Sequence, residues 1–403
     1  MDPLAKWVEV LDAMSGPSWV EGVERLARTL EIRADNESIR IDDLTLADWL
    51  IARSERAPYG DSEGTRYDDA VRSTLRLKTR GATEITGMDV AGICRHLEAA
   101  FATDRQIVAT LHDILVYPVG GKFARHKDTP ASFDQLGSLV IDVPSPHEGG
   151  SLMLDDGTDN AQIDWSGTIG SDELRWVAIY GDVDHEIAPV VRGARITIVY
   201  SLSLGGPRRD EGRRAAIDEM TDAIVQVTAD ASTPRDFVVP CRHMVIVPRD
   251  TPTYPLPIES LRGDDRVIAD AFTRSGGKVE VVELLTVGDD DAIEHDASAP
   301  SLRRVPPLGD TLLVTKPIPD EVFRNPALTI DSDPGGWEDE EMTVGVLAPY
   351  ATWRRIKPVM VVRKKARAVL AFKGLWSATG YFGNEYGYAY VYRIVALRVV
   401  LAA

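Results

Sequence analysis

A histidine and an aspartate two residues apart form the first pair in this chain that is suited to binding a metal. In KFARHKDTP, His126 and Asp128 leave the same face of an extended strand, with their backbones about 7 Å apart. His185, in GDVDHEIAPV, offers a third donor at the start of another predicted strand, and Asp182 and Asp184 beside it are alternative ligands. Two imidazoles and one carboxylate on one side of an octahedron leave open positions, as in the sites of non-haem iron(II) oxygenases. We predict His126, Asp128 and His185 as the metal ligands and catalytic residues.

A basic residue on a later strand makes the prediction of a metal site more specific. The histidine and aspartate pair alone indicates little, because 63 acidic residues make such a pair frequent by chance. Arg195 lies ten residues after His185 in ARITIVYSL, where strand alternation places Arg195, Thr197 and Val199 on one face. A permanently charged guanidinium on an inward face requires a carboxylate partner. The sequence therefore predicts an anion site near the metal.

Residues 1–105 are predicted to be a mainly helical N-terminal region. Apolar side chains recur at three- and four-residue spacings, which is typical of amphipathic helices. The segments with this pattern are LAKWVEVLDAM, VEGVERLARTLEI, DLTLADWLIARS and MDVAGICRHLEAAFAT. The polar loop 59–69 between them is interpreted either as a lid over the site or as a solvated connector.

Residues 106–205 are predicted to form the catalytic domain. Here the period becomes strand-like, with short runs rich in Val, Ile, Leu and Tyr between Gly, Pro and Asp clusters. The eight predicted strands are DILVYPV, KFARHKD, LGSLVIDV, GSLMLD, AQIDW, RWVAIY, VDHEIAPV and ARITIVYSL. Eight such strands favour a double-stranded β-helix, or jelly roll. The predicted fold class is α+β: a jelly-roll core with N-terminal helices and a C-terminal α+β domain.

Residues 206–403 are predicted to form that C-terminal domain, which begins with a helix in RRAAIDEMTDAIVQV. Its last segment, GNEYGYAYVYRIVALRVVL, resembles DHEIAPVVRGARITIVYSL, with Asn384 where His185 stands and Arg393 near the place of Arg195. A degenerate second barrel and a chance similarity between two β-rich segments are both open. A second barrel of this kind is not expected to bind iron.

Composition narrows the partners and the location. The net charge of −18 makes nucleic acid an unfavourable partner, because an acidic surface repels phosphate backbones. Two cysteines, far apart in the sequence, fit neither a disulfide framework nor a zinc knuckle. No signal peptide and no run of 18 apolar residues is recognisable, so we expect a cytoplasmic protein without membrane contact.

Several motifs in order resemble the catalytic domain of prolyl-4-hydroxylase-like 2-oxoglutarate oxygenases. They are Tyr117, the pair Gly120 and Gly121, the H-x-D-T segment from His126, and the run H-E-x-x-P-V-x-x-G-x-R-x-T-x-x-Y over 185–200. The similarity is strongest to large bacterial and fungal members with a segment of the PSPHEGGSL type. It covers roughly residues 105–204.

This resemblance implies Fe(II) and the co-substrate 2-oxoglutarate, with ascorbate as an optional reductant. It assigns His126, Asp128 and His185 to iron, Arg195 to the distal carboxylate of 2-oxoglutarate, and Tyr117 to a hydrogen bond with the same molecule. Thr197, on the face of Arg195, joins the co-substrate residues. The procollagen-like branch commonly has Lys in place of Arg195, and either charge binds a carboxylate.

The expected reaction is hydroxylation of an unactivated C–H, most simply in a prolyl or other amino-acid residue of a protein or peptide. A free amino acid or natural product is the alternative substrate, and an inactive barrel that acts as a binding scaffold is the alternative class. Halogenation is disfavoured because Asp128 occupies the position that a halide needs, and repair of alkylated nucleic acid is disfavoured by the charge. His147, in PSPHEGGSL, is interpreted either as a substrate contact or as part of a turn.

Overall fold

The computed structural model contains two compact units, one of residues 16–212 and one of residues 1–15 with 213–403. The residues that the structure describes are 3–26, 28–61, 64–78, 83–128, 132, 134–167, 172–208, 213–243, 256–288, 303–304, 311–314, 329–332, 342–343, 351–352, 359–360, 367–380 and 383–402. Strands in mainly antiparallel sheets predominate, and helices are fewer, so the fold is mixed α+β.

The described residues contain five α-helices. They are α1 (Pro3–Ala13), α2 (Leu46–Ala52), α3 (Val90–Ala100), α4 (Arg214–Thr228) and α5 (Gly263–Arg274). The Asp89 side chain caps α3 by accepting the N–H of Gly92 at 2.8 Å, which satisfies one of the free donors of the first turn. None of these helices combines the length and the apolar character that crossing a bilayer requires.

The unit of residues 16–212 contains nineteen described strands. They are β1 (Trp19–Arg25), β2 (Glu31–Ala34), β3 (Glu37–Arg40), β4 (Ser54–Arg56), β5 (Tyr59–Asp61), β6 (Gly64–Arg66), β7 (Arg72–Ser73), β8 (Leu75–Leu77), β9 (Glu84–Thr86), β10 (Gln106–Tyr117), β11 (Lys122–His126), β12 (Gln135–Val143), β13 (His147–Gly149), β14 (Leu152–Asp155), β15 (Asn160–Ile163), β16 (Glu173–Tyr180), β17 (Asp184–Ile187), β18 (Val190–Gly193) and β19 (Arg195–Gly205). The runs of Val, Ile and Leu in β10, β12, β16 and β19 fit the buried surface of a central sheet.

Two antiparallel sheets dominate this unit. The larger has the strand order β1-β16-β12-β19-β10-β8-β4, and the smaller has the order β15-β14-β17-β11-β7. Three small sheets, β3-β2-β9, β5-β6 and β13-β18, complete it. Its apolar core is one cluster of buried side chains drawn from residues 26–204. The segments carrying the predicted metal ligands belong to the smaller sheet or follow directly from it, and Arg195 belongs to the larger one.

All eight strands predicted between residues 113 and 202 are present, with shifted ends. The helix predicted over VEGVERLARTLEI is wrong, because Trp19–Arg25 is the strand β1 and Glu31–Ala34 is β2. Along its whole length β1 pairs with β16, and Gly22 lies against the ring of Trp176, where a Cβ would be 2.2 Å from Cζ2. Pairing with an existing sheet outweighs a helical spacing of apolar residues. Residues 16–105 are therefore strand-rich, not mainly helical.

The unit of residues 1–15 and 213–403 joins the two ends of the chain. Trp7 of α1 is fully buried, with ring centroids 4.9 Å from Phe237 and 5.5 Å from Phe272. The first helix thus belongs with the C-terminal residues, and the units divide near residues 15 and 212 instead of 105 and 205. The assignment of functions to these units stays a prediction.

The C-terminal unit contains ten described strands in one mainly antiparallel sheet. They are β20 (Asp236–Pro240), β21 (Lys278–Gly288), β22 (Arg303–Arg304), β23 (Thr311–Val314), β24 (Thr329–Ser332), β25 (Met342–Thr343), β26 (Ala351–Thr352), β27 (Val359–Met360), β28 (Arg367–Gly380) and β29 (Gly383–Val400). The predicted helix at its start is α4. Asn384 and Arg393 lie in β29, with side chains outside the described residues, so the second barrel stays a prediction.

Candidate metal centre and anion site

The three predicted ligands converge on one point. His126 ends β11 and is paired with His185 of β17, while Asp128 lies two residues beyond the strand. One donor atom from each of the three side chains lies within 4.8 Å of the others. His185 Nε2 is 3.6 Å from Asp128 Oδ1, and the two imidazole centroids are 4.1 Å apart. This cluster can hold a metal ion.

The backbone fixes which nitrogen of each histidine faces the cluster. His126 Nδ1 is 2.8 Å from the carbonyl of Ala124, and His185 Nδ1 is 3.0 Å from the carbonyl of Val183. A carbonyl only accepts, so each Nδ1 donates its hydrogen and each Nε2 keeps its lone pair. Metal-binding histidines are oriented in this way.

Asp128 and His126 are held by further neighbours. The hydroxyl of Ser138 donates to Asp128 Oδ2 at 2.5 Å, which leaves Oδ1 facing His185. The ring of Phe123 stacks on His126 at 3.5 Å. Burial lowers the pKa of His126, and the nearby His185 lowers it further, so the imidazole is neutral at neutral pH and able to bind a metal.

The alternative ligands beside His185 do not join the cluster. Asp184 forms ion pairs with Arg125 at 3.2 Å and with Lys127 at 3.6 Å. Asp182 is buried and lies outside the group of donors that could share an ion. Among the described residues, the geometry therefore favours His185 over both acids.

Arg195 lies buried without an anion. Its side chain is 1% exposed, its guanidinium lies 5.5 Å from the ring of Tyr117 and 5.4 Å from that of Trp165, and its Nε and Nη1 have no hydrogen-bond acceptor in the described structure. Asp142, the acid of the neighbouring strand, is paired with Arg175 at 2.6 Å. Burial lowers the pKa of Arg195, yet an arginine stays charged. An uncompensated buried charge costs several kcal/mol, roughly, which a bound anion would offset.

Tyr117 and Thr197 lie on the same wall as Arg195. Tyr117 pairs with Arg195 across β10 and β19, and Thr197 follows on the same face of β19. Burial raises the pKa of Tyr117, so its hydroxyl stays protonated and can donate a hydrogen bond. The predicted alternation of Arg195, Thr197 and Val199 on one face is confirmed, since all three line one cavity.

That cavity has a volume of about 460 Å³ and is lined from both sheets of the unit. The larger sheet contributes Tyr117 and Arg195, and the smaller contributes His126 and His185, so the metal cluster and the anion site share one space. Tyr59 also lines it, and lies in β5, which pairs with β6 inside the segment predicted as a polar loop. A pocket of this size accommodates small molecules or a single residue of a chain.

The PSPHEGGSL segment contains a glycine turn that packs against the side chain of Arg195. Gly149 and Gly150 have φ of +75° and +72°, and a Cβ at Gly150 would lie 3.2 Å from Arg195 Cδ. His147 is buried, its Nδ1 donates to the carbonyl of Ser145 at 2.9 Å, and it is not among the residues that line the cavity. The turn interpretation of this segment is thus favoured over a substrate contact.

Four residues that surround the metal cluster and Arg195 were not predicted from the sequence: Phe123, Ser138, Asp142 and Trp165. Polar residues inside apolar strands were the available signal for two of them, because Ser138 and Asp142 interrupt the LGSLVIDV run. In the sequence, Phe123 and Trp165 are indistinguishable from core aromatics, and only the structure shows that Phe123 stacks on His126 and that Arg195 lies over the ring of Trp165.

Comparisons with known proteins gave partial structural likenesses. No family model and no curated protein matches the chain. A prolyl-4-hydroxylase from Pseudomonas putida is 15% identical over 49% of this chain and 99% of its own, with a TM-score of 0.28. A 2OG-Fe(II) oxygenase family protein from Burkholderia pseudomallei is 16% identical over 41% and 81%, also at 0.28. A Trichoplax adhaerens prolyl hydroxylase, solved with a peptide fragment of the hypoxia inducible factor oxygen degradation domain, is 14% identical over 53% and 93%, at 0.28.

Proposed function

We propose that this protein is an Fe(II)- and 2-oxoglutarate-dependent dioxygenase that hydroxylates an unactivated C–H bond. The observation behind this proposal is the pairing, in one cavity, of a two-histidine, one-carboxylate cluster with a buried, uncompensated arginine. A metal site alone fits many activities. An added carboxylate site on the opposite sheet is what a chelating dicarboxylate co-substrate requires.

The side chains that line the cavity fit both iron(II) and 2-oxoglutarate. His126 Nε2, His185 Nε2 and Asp128 Oδ1 are a donor set suited to iron(II), with room for further ligands on the cavity side. Arg195 would form paired hydrogen bonds with the distal carboxylate of 2-oxoglutarate through its free N–H groups. Tyr117 and Thr197 would donate hydrogen bonds from the same wall. We also propose that the two sheets are the halves of a double-stranded β-helix.

When bound, iron and 2-oxoglutarate would supply the oxidation: dioxygen would give one oxygen atom to succinate, with release of CO2, and the other to the hydroxylated substrate. The chain's own residues position the reactants. Ser138 and the carbonyls of Ala124 and Val183 hold the ligands in place, and Arg195 sets the direction of the co-substrate. Apolar side chains such as Leu152 and Ile187 line the cavity and exclude water from it.

For the substrate, we propose a prolyl or other amino-acid residue of a protein or peptide, with a free amino acid or natural product as the alternative. The prolyl hydroxylase from Trichoplax adhaerens was solved with a peptide fragment, which is a precedent for a peptide substrate. Ascorbate as reductant and the cytoplasmic location stay predictions from the sequence.

The test is anaerobic binding of Fe(II) and 2-oxoglutarate, followed by succinate formation on adding oxygen. The purified chain should bind both, and His126→Ala should lose metal binding and succinate formation together. His96→Ala, at an exposed position of α3, is the matched control and should behave as the parent protein does. Absence of iron and 2-oxoglutarate binding by the parent chain would refute the proposal.

A further inference from the structure

Arg72 is a second cation on the wall of the same cavity. It lies in the two-residue strand β7, directly opposite Phe123 of β11, and both side chains line the cavity. The guanidinium lies 4.4 Å from the centroid of Phe123, which in turn stacks on the ligand His126 at 3.5 Å. The phenyl ring of Phe123 thus contacts both the proposed metal ligand His126 and the guanidinium of Arg72.

The charge of Arg72 has no counter-ion among the described residues. Its Nη1 donates to the carbonyl of Pro58 at 2.6 Å, and its buried Nε–H has no acceptor. Burial lowers the pKa of the guanidinium, whereas Asp113 and Asp128 act on it only from beyond ion-pair distance. A partly buried arginine that lines a cavity and has no acidic partner among the described residues has the chemistry of an anion-binding residue.

Two nearby basic side chains show that the lack of a counter-ion is not a general property of the cavity wall. Arg76 also lines the cavity, but its guanidinium is held by Glu55 through Nε at 3.1 Å and Nη2 at 2.8 Å. Lys127 is 3.6 Å from Asp184. Arg195 has no counter-ion either, and the proposed function assigns it to the distal carboxylate of 2-oxoglutarate.

We propose that Arg72 binds a carboxylate of the molecule that is oxidised, so that the enzyme selects anionic substrates. This inference rests on the proposed function, because that function gives 2-oxoglutarate to Arg195 and leaves Arg72 for the second reactant. Because Phe123 contacts both Arg72 and His126, and all three line the cavity, such a carboxylate would lie on the same wall as the proposed metal ligand His126. The target C–H then belongs to the residue that bears the carboxylate, or to its immediate neighbour.

The same carboxylate chemistry has two sources, a free amino acid or the acidic side chain of a peptide, and the experiment separates them. Protein loaded with Fe(II) and 2-oxoglutarate without oxygen is titrated calorimetrically with two matched probe pairs. One pair is L-proline and L-prolinamide. The other is a blocked prolyl pentapeptide with Glu beside the proline and the same peptide with Gln.

In one of the two pairs, the carboxylate member should bind the parent protein at least tenfold more tightly than the amide member. Arg72→Gln should remove this preference. Arg72→Lys, which keeps the charge and loses the planar pair of N–H donors, should retain part of the carboxylate preference. Thermal unfolding of each variant establishes that it is folded, and Arg72→Lys keeps the test decisive if Arg72→Gln does not fold.

Arg76→Gln is the matched control, since it removes the same charge from the same cavity wall at a residue already paired with Glu55. It should keep the carboxylate preference. Equal loss in Arg76→Gln and Arg72→Gln, no preference in the parent protein, or no saturable binding of either carboxylate probe would each overturn the inference. Failure of the parent protein to bind Fe(II) and 2-oxoglutarate would instead refute the proposed function, so the two failures are distinguishable.

Discussion

At the scale of single residues, the site combines side chains that hydrogen bonds hold in one orientation with an arginine that has N–H groups without an acceptor in the described structure. The donor nitrogens of both histidines and the free oxygen of Asp128 are oriented by hydrogen bonds from outside the cluster. The guanidinium of Arg195 lies over the rings of Tyr117 and Trp165, and its Nε and Nη1 have no acceptor among the described residues. Such preorganisation favours binding because little rotamer freedom is lost when the ligand arrives.

Ser138 should matter for metal affinity although it is not itself a ligand. Ser138→Ala removes the hydrogen bond to Asp128 Oδ2, which frees the carboxylate to rotate, and we expect Fe(II) affinity to fall about tenfold. Anaerobic titration of the apo-protein measures this. Ser201→Ala is the control, because Ser201 pairs with Ser138 across β12 and β19 and also lines the cavity. Equal affinities for the two variants would contradict the role assigned to Ser138.

Arg195 should show opposite effects on binding and on stability. Arg195→Gln should weaken 2-oxoglutarate binding by about 2–5 kcal/mol, because the distal carboxylate would be left buried and unpaired. The same variant without ligand should melt at the parent temperature or above it, because a buried charge with no counter-ion is removed. Calorimetry and thermal unfolding, each with and without 2-oxoglutarate, measure the two effects. A large loss of stability in the ligand-free variant would mean that Arg195 is a structural residue.

At the scale of elements, strand alternation explains why the site was largely predictable. On β19 every second residue faces the cavity, so the spacing of Arg195 and Thr197 was enough to place them together. His126 at the end of β11 and Asp128 two residues beyond it also line the cavity, but strict alternation does not hold there, because Lys127 between them lines it too. Arg72 was not predictable, because a strand of two residues has no period to detect, and its position depends on pairing with the distant β11.

The turn after β13 should influence the co-substrate site through Arg195. Gly150→Ala adds a Cβ 3.2 Å from Arg195 Cδ and 2.9 Å from Val190 Cγ2, at a φ of +72°. We expect weaker 2-oxoglutarate binding by several-fold, together with about 1–2 kcal/mol of lost stability from the left-handed backbone. The readouts are the Kd of 2-oxoglutarate and the free energy of unfolding.

Gly120→Ala separates the two causes, because Gly120 has a similar φ of +79° but nothing within 4 Å of an added Cβ. It should lose stability and keep the affinity for 2-oxoglutarate. If both variants bind 2-oxoglutarate equally well, the contact between Gly150 and Arg195 has no functional weight.

At the scale of the whole molecule, the sequence predicted side chains that the fold brings into one cluster, but not which segments fold together. The apolar spacing of VEGVER is compatible with a helix, and only the partner strand β16 makes it a strand. The first helix similarly belongs with residues more than two hundred positions later, through Trp7, Phe237 and Phe272. Long-range pairing of this kind leaves no local periodic signal.

The division into units predicts that residues 16–212 suffice for the metal site. Every proposed metal ligand and every side chain that orients one lies in this unit, and its buried core is built from residues 26–204 alone. Nearly two hundred residues with their own core are enough for an independent domain. A fragment of residues 16–212 should therefore fold cooperatively and bind Co(II), as a spectroscopic substitute for iron, with an affinity within about threefold of the full chain.

The same fragment with His126→Ala is its control and should fold without binding the metal. A fragment that folds yet fails to bind would show that residues outside 16–212 are required for the site, and one that fails to fold would show that the unit depends on the rest of the chain for stability.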